Sequence, residues 1–426
     1  MAIIAPFNAY RYAPNIVKDI DLVVTQPYDR INEALRKEYY QKSPYNLVRI
    51  ILGYDSGDDY KGRNKYQMAG NYLQTWIKEG ALVKEDQPAI YYYTQTFKLE
   101  TGETRTRSGF IGLGKLDESK VHAHERTLAG PKKDRMSLLK ETKAHYGQIF
   151  MLYQGGQDDL GKLVGATDTP DVIAHDEDGN IHKMWVITAK DKIQKLQDMM
   201  KDKDLFIADG HHRYETAMNF RKEMLEKGEY VPAMDYLQMT FVNMADPGLT
   251  ILPTHRCVLN LADFQLDKML GPVKEYFTVT EASSPESMLA EMNKRGLQSH
   301  AFGLSSAGKY FVLCLKDEQT MDKLFPEENS PEYRRLDVSI LHLLILEKIL
   351  GITKEDQANE KNLHYVRKYR EAVDALAKDE CQLAFFLNAT KVSEVRDIAG
   401  KGERMPQKST DFYPKLLSGL TIYKLE

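Results

Sequence analysis

The sequence predicts a mixed α/β protein, and three observations carry that prediction. Apolar strand-like runs alternate with helix-period segments, most clearly in LFIADGHHRYETA (205–217), where an apolar run ends in Asp-Gly and a helical pattern starts at once. Polar turns containing glycine at 100–103, 176–180 and 306–308 each separate two β-type runs, which reads as hairpins and hence antiparallel pairs. LDVSILHLLILEKIL (336–350) is apolar nearly all round, the pattern of a buried central helix. The expected class is α/β with α+β mixed sheets.

A chain of 426 residues exceeds one ordinary core. The break between Gly228 and Pro232 divides it into an N-terminal domain, 1–230, and a C-terminal α+β domain, 231–426. Hydrophobic residues make up 42% and charged residues 28%, the balance of a soluble globular chain. The net charge of −4, with both signs interspersed, lacks the basic footprint of a DNA binder, and no helix-turn-helix is recognisable. No apolar run reaches the roughly 18 residues of a membrane span. MAIIAPFNAYRYAP at the start is too short and too polar for a signal peptide, so a cytoplasmic location is expected. Cys257, Cys314 and Cys381 lie far apart without CxxC spacing, which suits reduced, buried thiols.

In chain order, residues 20–24 read as a short strand before a proline turn at Pro27, and 31–40 as a helix. LVRIIL (47–52) is β-branched enough for a strand, and 55–63 is a polar loop. Tyr66, Ala69, Leu73 and Ile77 recur at helical spacing, with Gly80 where a C-cap belongs. Strands at 89–99 and 104–116 flank the first hairpin turn; a helix at 132–144 and a strand at 148–153 follow. Thr188 and Asp191 suit a capping box for the helix that leads to the Asp-Gly junction. Beyond it, strands are expected at 236–242, 276–280, 301–305, 310–315, 382–387 and 420–425, with an irregular basic loop at 404–415.

Chemistry concentrates at Asp209-Gly210-His211-His212-Arg213. A strand that passes directly into a helix leaves backbone N–H groups at the helix start, and the positive dipole end there makes an anion site. Gly210 lets the backbone approach a ligand, Arg213 supplies a bidentate fork, and His211 and His212 can donate to phosphate oxygens or shuttle protons. Asp209 suits a helix cap, an orienting partner for an imidazole, or a cation ligand. Capping alone does not account for two histidines and an arginine in a first turn, where the dipole disfavours positive charge. His122 and His124 share a strand face, but no further ligand accompanies them, which argues against a structural zinc. Lys408-Ser409-Thr410 lacks the glycine frame of a phosphate loop, yet Lys408 has the reach to touch a phosphate from another domain. Thr254-His255-Arg256 reads mainly as the start of a strand, and Tyr91 to Tyr93 as core.

DGHHRYETA resembles the Asp-Gly-His-x-Arg signature of the ParB/sulfiredoxin-like superfamily, which includes partition proteins, sulfiredoxins and free serine kinases. More closely, the chain resembles an uncharacterised bacterial family of unknown function, often labelled ParB-like. The matching pieces are PYD at Pro27, SPYNLVRIIL at Ser43, HERT at His124, IADGHHRYETA, ILPTHR at Ile251, LDVSIL at Leu336 and MPQKSTDFYPKLLSGL at Met405. Gln26 stands where a second proline is expected, and Asp411 where an aromatic is expected.

The resemblance implies a ParB/sulfiredoxin-like N-terminal half with a phosphate site at Asp209, Gly210, His211, His212 and Arg213. It further implies nucleotide (ATP or ADP) as cofactor, with or without Mg2+, and Glu125 of the His-Glu pair as general base toward a small alcohol such as serine. Glu125, His211 and His212 are then the catalytic candidates. The alternatives are a non-catalytic nucleotide-binding regulator and a phosphate-ester hydrolase that uses water as nucleophile.

Overall fold

The structure is a computed structural model that describes residues 2–55, 61–125, 129–156, 159–326 and 329–426. Most of the polar loop expected at 55–63, and Arg126 and Thr127 of HERT, lie outside the described residues. The chain gathers into two compact units: Met1–Ala123, Thr127–Thr250 and Pro414–Glu426 form the first, His124–Arg126 and Ile251–Tyr413 the second.

Nine strands form the sheet of the first unit among the described residues: β1 (Ile4–Ala5), β2 (Ile90–Lys98), β3 (Thr104–Lys115), β4 (Val121–His122), β5 (Ile149–Tyr153), β6 (Val172–His175), β7 (Ile181–Ile187), β8 (Leu205–Asp209) and β9 (Tyr236–Asn243). Their order is β4-β8-β5-β9-β3-β2-β7-β6, with β1 alongside β3. Most pairs are antiparallel, while β8 runs parallel to β4 and β9 parallel to β5, so the sheet is mixed. Every residue of β5 is buried, because both faces of a central strand are covered; IFMLY therefore shows no alternation. β9 begins beyond position 230 and pairs with β3 and β5 in mid-sheet.

Seven helices accompany this sheet: α1 (Glu33–Lys42), α2 (Val48–Ile51), α3 (Lys65–Lys78), α4 (Ala129–Thr142), α5 (Leu160–Val164), α6 (Lys190–Met200) and α7 (His211–Lys227). α3 begins at a capping box in which Asn64 and Gln67 satisfy each other's backbone N–H. The two hairpins expected in this half form as read, with Lys98 opposite Thr104 in one. In the other, Asp176 Oδ1 accepts from the N–H groups of Asp178 and Asn180 at 3.0 and 2.9 Å.

Three local expectations are overturned. Residues 47–52 hold a helix, α2, and no strand: Asn46 accepts from Val48 N at 3.0 Å, and Val48, Ile50 and Ile51 are all buried. Burial of these three side chains overrides the β-propensity of branched residues. Ile20–Leu22 is a single tight helical turn started by Asp19, whose side chain accepts from Asp21 N. α6 starts at Ala189 without a side-chain cap, so Thr188 and Asp191 form no capping box.

The second unit is built on β10 (His255–Val258), β11 (Phe277–Ala282), β12 (Ala301–Ser306), β13 (Lys309–Leu315), β14 (Leu363–Val366) and β15 (Leu383–Phe386), in the order β11-β13-β12-β15-β10-β14. The apolar run at 336–350 is helical and buried as expected, though Ile340–Ile349 is wound as a π-helix. Cys257 and Cys381 are buried, and none of the three thiols is in a disulfide.

Gly109 on β3 sits where a Cβ would lie 2.6 Å from the Phe241 carbonyl oxygen of β9 and 2.8 Å from Val242 Cγ2. Gly109→Ala is expected to destabilise the chain by about 1–3 kcal/mol through overpacking. Urea unfolding should show a lower midpoint at unchanged slope; an unchanged midpoint would mean the two strands part freely.

Candidate anion-binding site

The junction of β8 and α7 is shaped by two backbone features. The register of β8 against β5 slips between Ile207 and Asp209, so a bulge at Ala208 turns the strand end. Gly210 then adopts φ 98°, and a Cβ there would meet Ile149 Cδ1 at 2.9 Å and Arg213 Nη2 at 3.0 Å. Only glycine fits such a left-handed, crowded position without strain. Gly210 is the N-cap residue of α7, and no side chain caps the helix there.

Asp209 is therefore not a helix cap. Its Oδ1 accepts from Lys415 Nζ at 2.8 Å and its Oδ2 from Arg213 Nη2 at 3.1 Å. The three side chains retain only 11–21% of their exposure. Burial pushes the Asp209 carboxyl up, but Lys415 and then Arg213 outweigh it, and the group is held well below the usual carboxylate range. Arg30 contributes to the same field from the turn after Pro27. Lys415 and Arg213 thus converge on this carboxylate, with Arg30 adding to the field around it.

The remaining motif residues lie where a helix start places them. His211 is buried at 4% exposure, His212 is half-buried, and the His212 carbonyl accepts from Thr216 Oγ1 at 2.7 Å. Arg213 Nη1 donates to the Gln148 carbonyl at 2.7 Å, which locks the guanidinium against β5.

Lys415 is held from behind. The fully buried Arg107 on β3 donates to the Pro414 carbonyl at 2.6 Å and to Gln95 Oε1, and Gln95 Nε2 donates to the Lys415 carbonyl at 2.9 Å. Phe150 lies 4.4 Å under its guanidinium, and burial pulls its pKa down to about 10.

A cavity of 60 Å³ opens beside Arg213, lined among others by Tyr28, Arg135, His145, Thr216 and Ser418. Arg135 lies 4.1 Å above the Tyr28 ring. Burial, and then Arg213, lower the pKa of His145 to about 3, so its imidazole is neutral at physiological pH.

Glu125 and Lys408 belong to the second unit. Glu125 is half-buried; beside it His124 is fully buried, with Nε2 2.9 Å from Thr410 Oγ1, and its carbonyl accepts from Met405 N at 2.8 Å. The structure thus brings His124 against Thr410 and Met405 within that unit. Lys408 itself is exposed at φ 57°, and its carbonyl accepts from the buried Arg256 at 3.1 Å. Asp411, the departure from the aromatic pattern, is buried and paired with Arg367 at 2.9 Å. His122 lies 3.5 Å from Asp204 and stacks on Phe206. Among the described residues no group of three or more His, Cys, Asp or Glu is arranged to hold a metal ion.

Reading the sequence missed Tyr28, Arg30, Arg135, His145 and Lys415. The PYD and MPQKSTDFYPKLLSGL motifs held the signal for three of them, since Tyr28 and Arg30 lie in or beside the first and Lys415 in the second.

Comparison with known proteins gives a family and three distant structural likenesses. A conserved hypothetical protein from Pyrococcus furiosus aligns at 15% identity over 72% of this chain and 94% of its own, with a TM-score of 0.35. Free serine kinase in complex with AMP aligns at 16% identity over 73% and 92%, TM-score 0.36. SbnI with C-terminal truncation from Staphylococcus aureus aligns at 9% identity over 73% and 87%, TM-score 0.35. No curated protein matches the chain. The family model described as "Protein of unknown function (DUF1015)" matches residues 4–339.

In Lys415→Met, Asp209 loses its bond to Lys415 and keeps the one to Arg213. Its depressed pKa means that its stabilisation is fully present above the unfolded value of roughly 3.9 and is lost as pH falls through the folded value. The variant should lose about 1–3 kcal/mol at neutral pH and show a shallower decline between roughly pH 4 and 2. Urea unfolding across that range reads both effects; an acid limb identical to the parent's would remove Lys415 from the account.

Proposed function

The chain belongs to the DUF1015 family of proteins of unknown function, and we propose that it transfers a phosphoryl group from a nucleotide, ATP or ADP, to a small hydroxyl compound. The observation that carries this reading is the convergence of Lys415, Arg213 and Arg30 on Asp209 at the start of α7. An anionic phosphate completes such a cluster, and the start of α7 adds backbone donors and the positive end of its dipole.

In this reading Arg213 and Lys415 neutralise phosphate oxygens, and His211 and His212 donate to them or move protons. Gly210 leaves room for close approach. Phosphoryl transfer needs charge neutralisation and positioning above all, and this cluster supplies both. Glu125 is assigned the base that takes the acceptor's proton, on the strength of the His-Glu resemblance, with Lys408 as an additional phosphate contact. The donor set at β8 and α7 is cationic, which suits phosphate oxygens and does not suit a divalent metal: both Asp209 oxygens are already committed. No step at this site is assigned to magnesium.

The protein incubated with magnesium, ATP or ADP and a panel of small alcohols, serine first, should yield a phosphomonoester. Arg213→Ala should abolish both the product and the nucleotide's thermal stabilisation. Glu125→Gln should keep nucleotide binding and slow turnover by about 10²–10⁴-fold, the usual worth of a general base. Absence of product from every alcohol would end the kinase reading, and release of inorganic phosphate alone would replace it with hydrolysis. An unslowed Glu125→Gln would remove that residue from the mechanism.

A further inference from the structure

The cavity beside Arg213 gathers polar groups that the fold leaves unused. Arg135 Nε and Nη2 are committed to Asp134 and the Ile51 carbonyl, and Arg213 Nη1 and Nη2 to Gln148 and Asp209. Arg135 Nη1, Arg213 Nε, the Tyr28 hydroxyl and the His145 ring nitrogens have no hydrogen-bond partner among the described residues. All four residues line one cavity, whose other walls include the apolar Ile51, Leu138 and Leu139. Polar groups that protein does not satisfy are met by water or by a ligand.

Charge and size restrict that ligand. Two guanidiniums reach the cavity and none of its lining residues is acidic, so an anion is favoured and an ammonium group finds no counter-charge. The volume of 60 Å³ holds about four to six water-sized positions at roughly 10–15 Å³ each, too few for a purine base. A neutral imidazole can accept a hydrogen bond from a hydroxyl, which a protonated one cannot.

We propose that this cavity binds a short hydroxycarboxylate, its carboxylate held by Arg135, Arg213 and Tyr28 and a hydroxyl met by His145. Guanidinium and carboxylate match in geometry as well as charge, and the short carbon chain lies on the leucine and isoleucine walls. Arg213 also contacts Asp209, so a molecule bound here lies beside the cationic cluster. As the acceptor site this assignment rests on the phosphotransfer reading; as a binding site it rests on the cavity alone.

Glycerate and serine make a sharp test, because they differ at the α-carbon only in hydroxyl against ammonium. Titration calorimetry of the whole chain with glycerate, lactate, serine and inorganic phosphate should give glycerate the tightest binding, at least tenfold over serine. Tyr28→Phe, which removes a single hydroxyl, should weaken glycerate about tenfold and leave phosphate binding unchanged. Separately, the His145 ring resonances of the parent protein should shift on adding glycerate. Serine binding as tightly as glycerate, phosphate as the sole ligand bound, or indifference of glycerate to Tyr28→Phe would each overturn the proposal. Glycerate binding without any phosphorylated product would keep the cavity assignment and end the kinase reading; product formation indifferent to Tyr28→Phe would do the reverse.

Discussion

The ion pairs of Asp209 join two stretches of chain far apart in sequence, the junction of β8 with α7 and the segment after Pro414. A carboxylate between two cations at these distances is strongly attracted to each, at an effective dielectric of 20 by about 4 kcal/mol per close pair. The cations repel one another, however, and desolvation takes back much of the gain. The arrangement contributes modestly to folding and holds two cations side by side at the start of α7. A bound anion relieves that repulsion without moving the scaffold, which is what a preorganised anion site requires.

Two buried arginines secure backbone carbonyls in the C-terminal part of the chain. Arg107 holds the Pro414 carbonyl in the first unit, and Arg256 holds the Gln407 and Lys408 carbonyls in the second. Each lies against an aromatic ring, Phe150 and Tyr365 respectively, and burial lowers each pKa to about 10. A guanidinium can remain charged while donating to several carbonyls, whereas a lysine would shed its proton more readily in such surroundings. Irregular backbone carries carbonyls that no sheet or helix satisfies, and these two arginines satisfy them. The backbone is thereby held at Gln407, Lys408 and Pro414, positions that flank the short strand Asp411–Tyr413 in sequence.

Much of this was legible in the sequence because it depends on short-range rules. The β8–Gly210–α7 junction is announced by an apolar run, a glycine and a helical period in immediate succession, and both first-unit hairpins by their turn residues. What stayed hidden depends on long-range pairing. Lys408 drew attention because it precedes Ser-Thr, but Lys415, seven residues on, is the lysine at Asp209. No local pattern separates the two; the difference arises from where Arg107 and Gln95 pin the backbone. LVRIIL likewise reads as a strand by composition and folds as α2, where Asn46 accepts from Val48 N and Val48, Ile50 and Ile51 are buried. His145 has no motif at all, and only its place beside Arg213 gives it meaning.

The same geometry separates small-anion chemistry from nucleic-acid binding. A protein that binds a polyanion spreads lysines and arginines over an exposed face, where they release counterions along the backbone. Here the cations are drawn inward: Lys415 and Arg213 keep 11% and 18% of their exposure, and Arg107 keeps 1%. Each is tied to a carbonyl or a carboxylate, so none is positioned to sweep a phosphate backbone. Beside them lies a cavity with apolar walls and room for a few atoms. Charge that is inward, partly neutralised and adjacent to a small cavity is the arrangement that the proposed compact anion calls for.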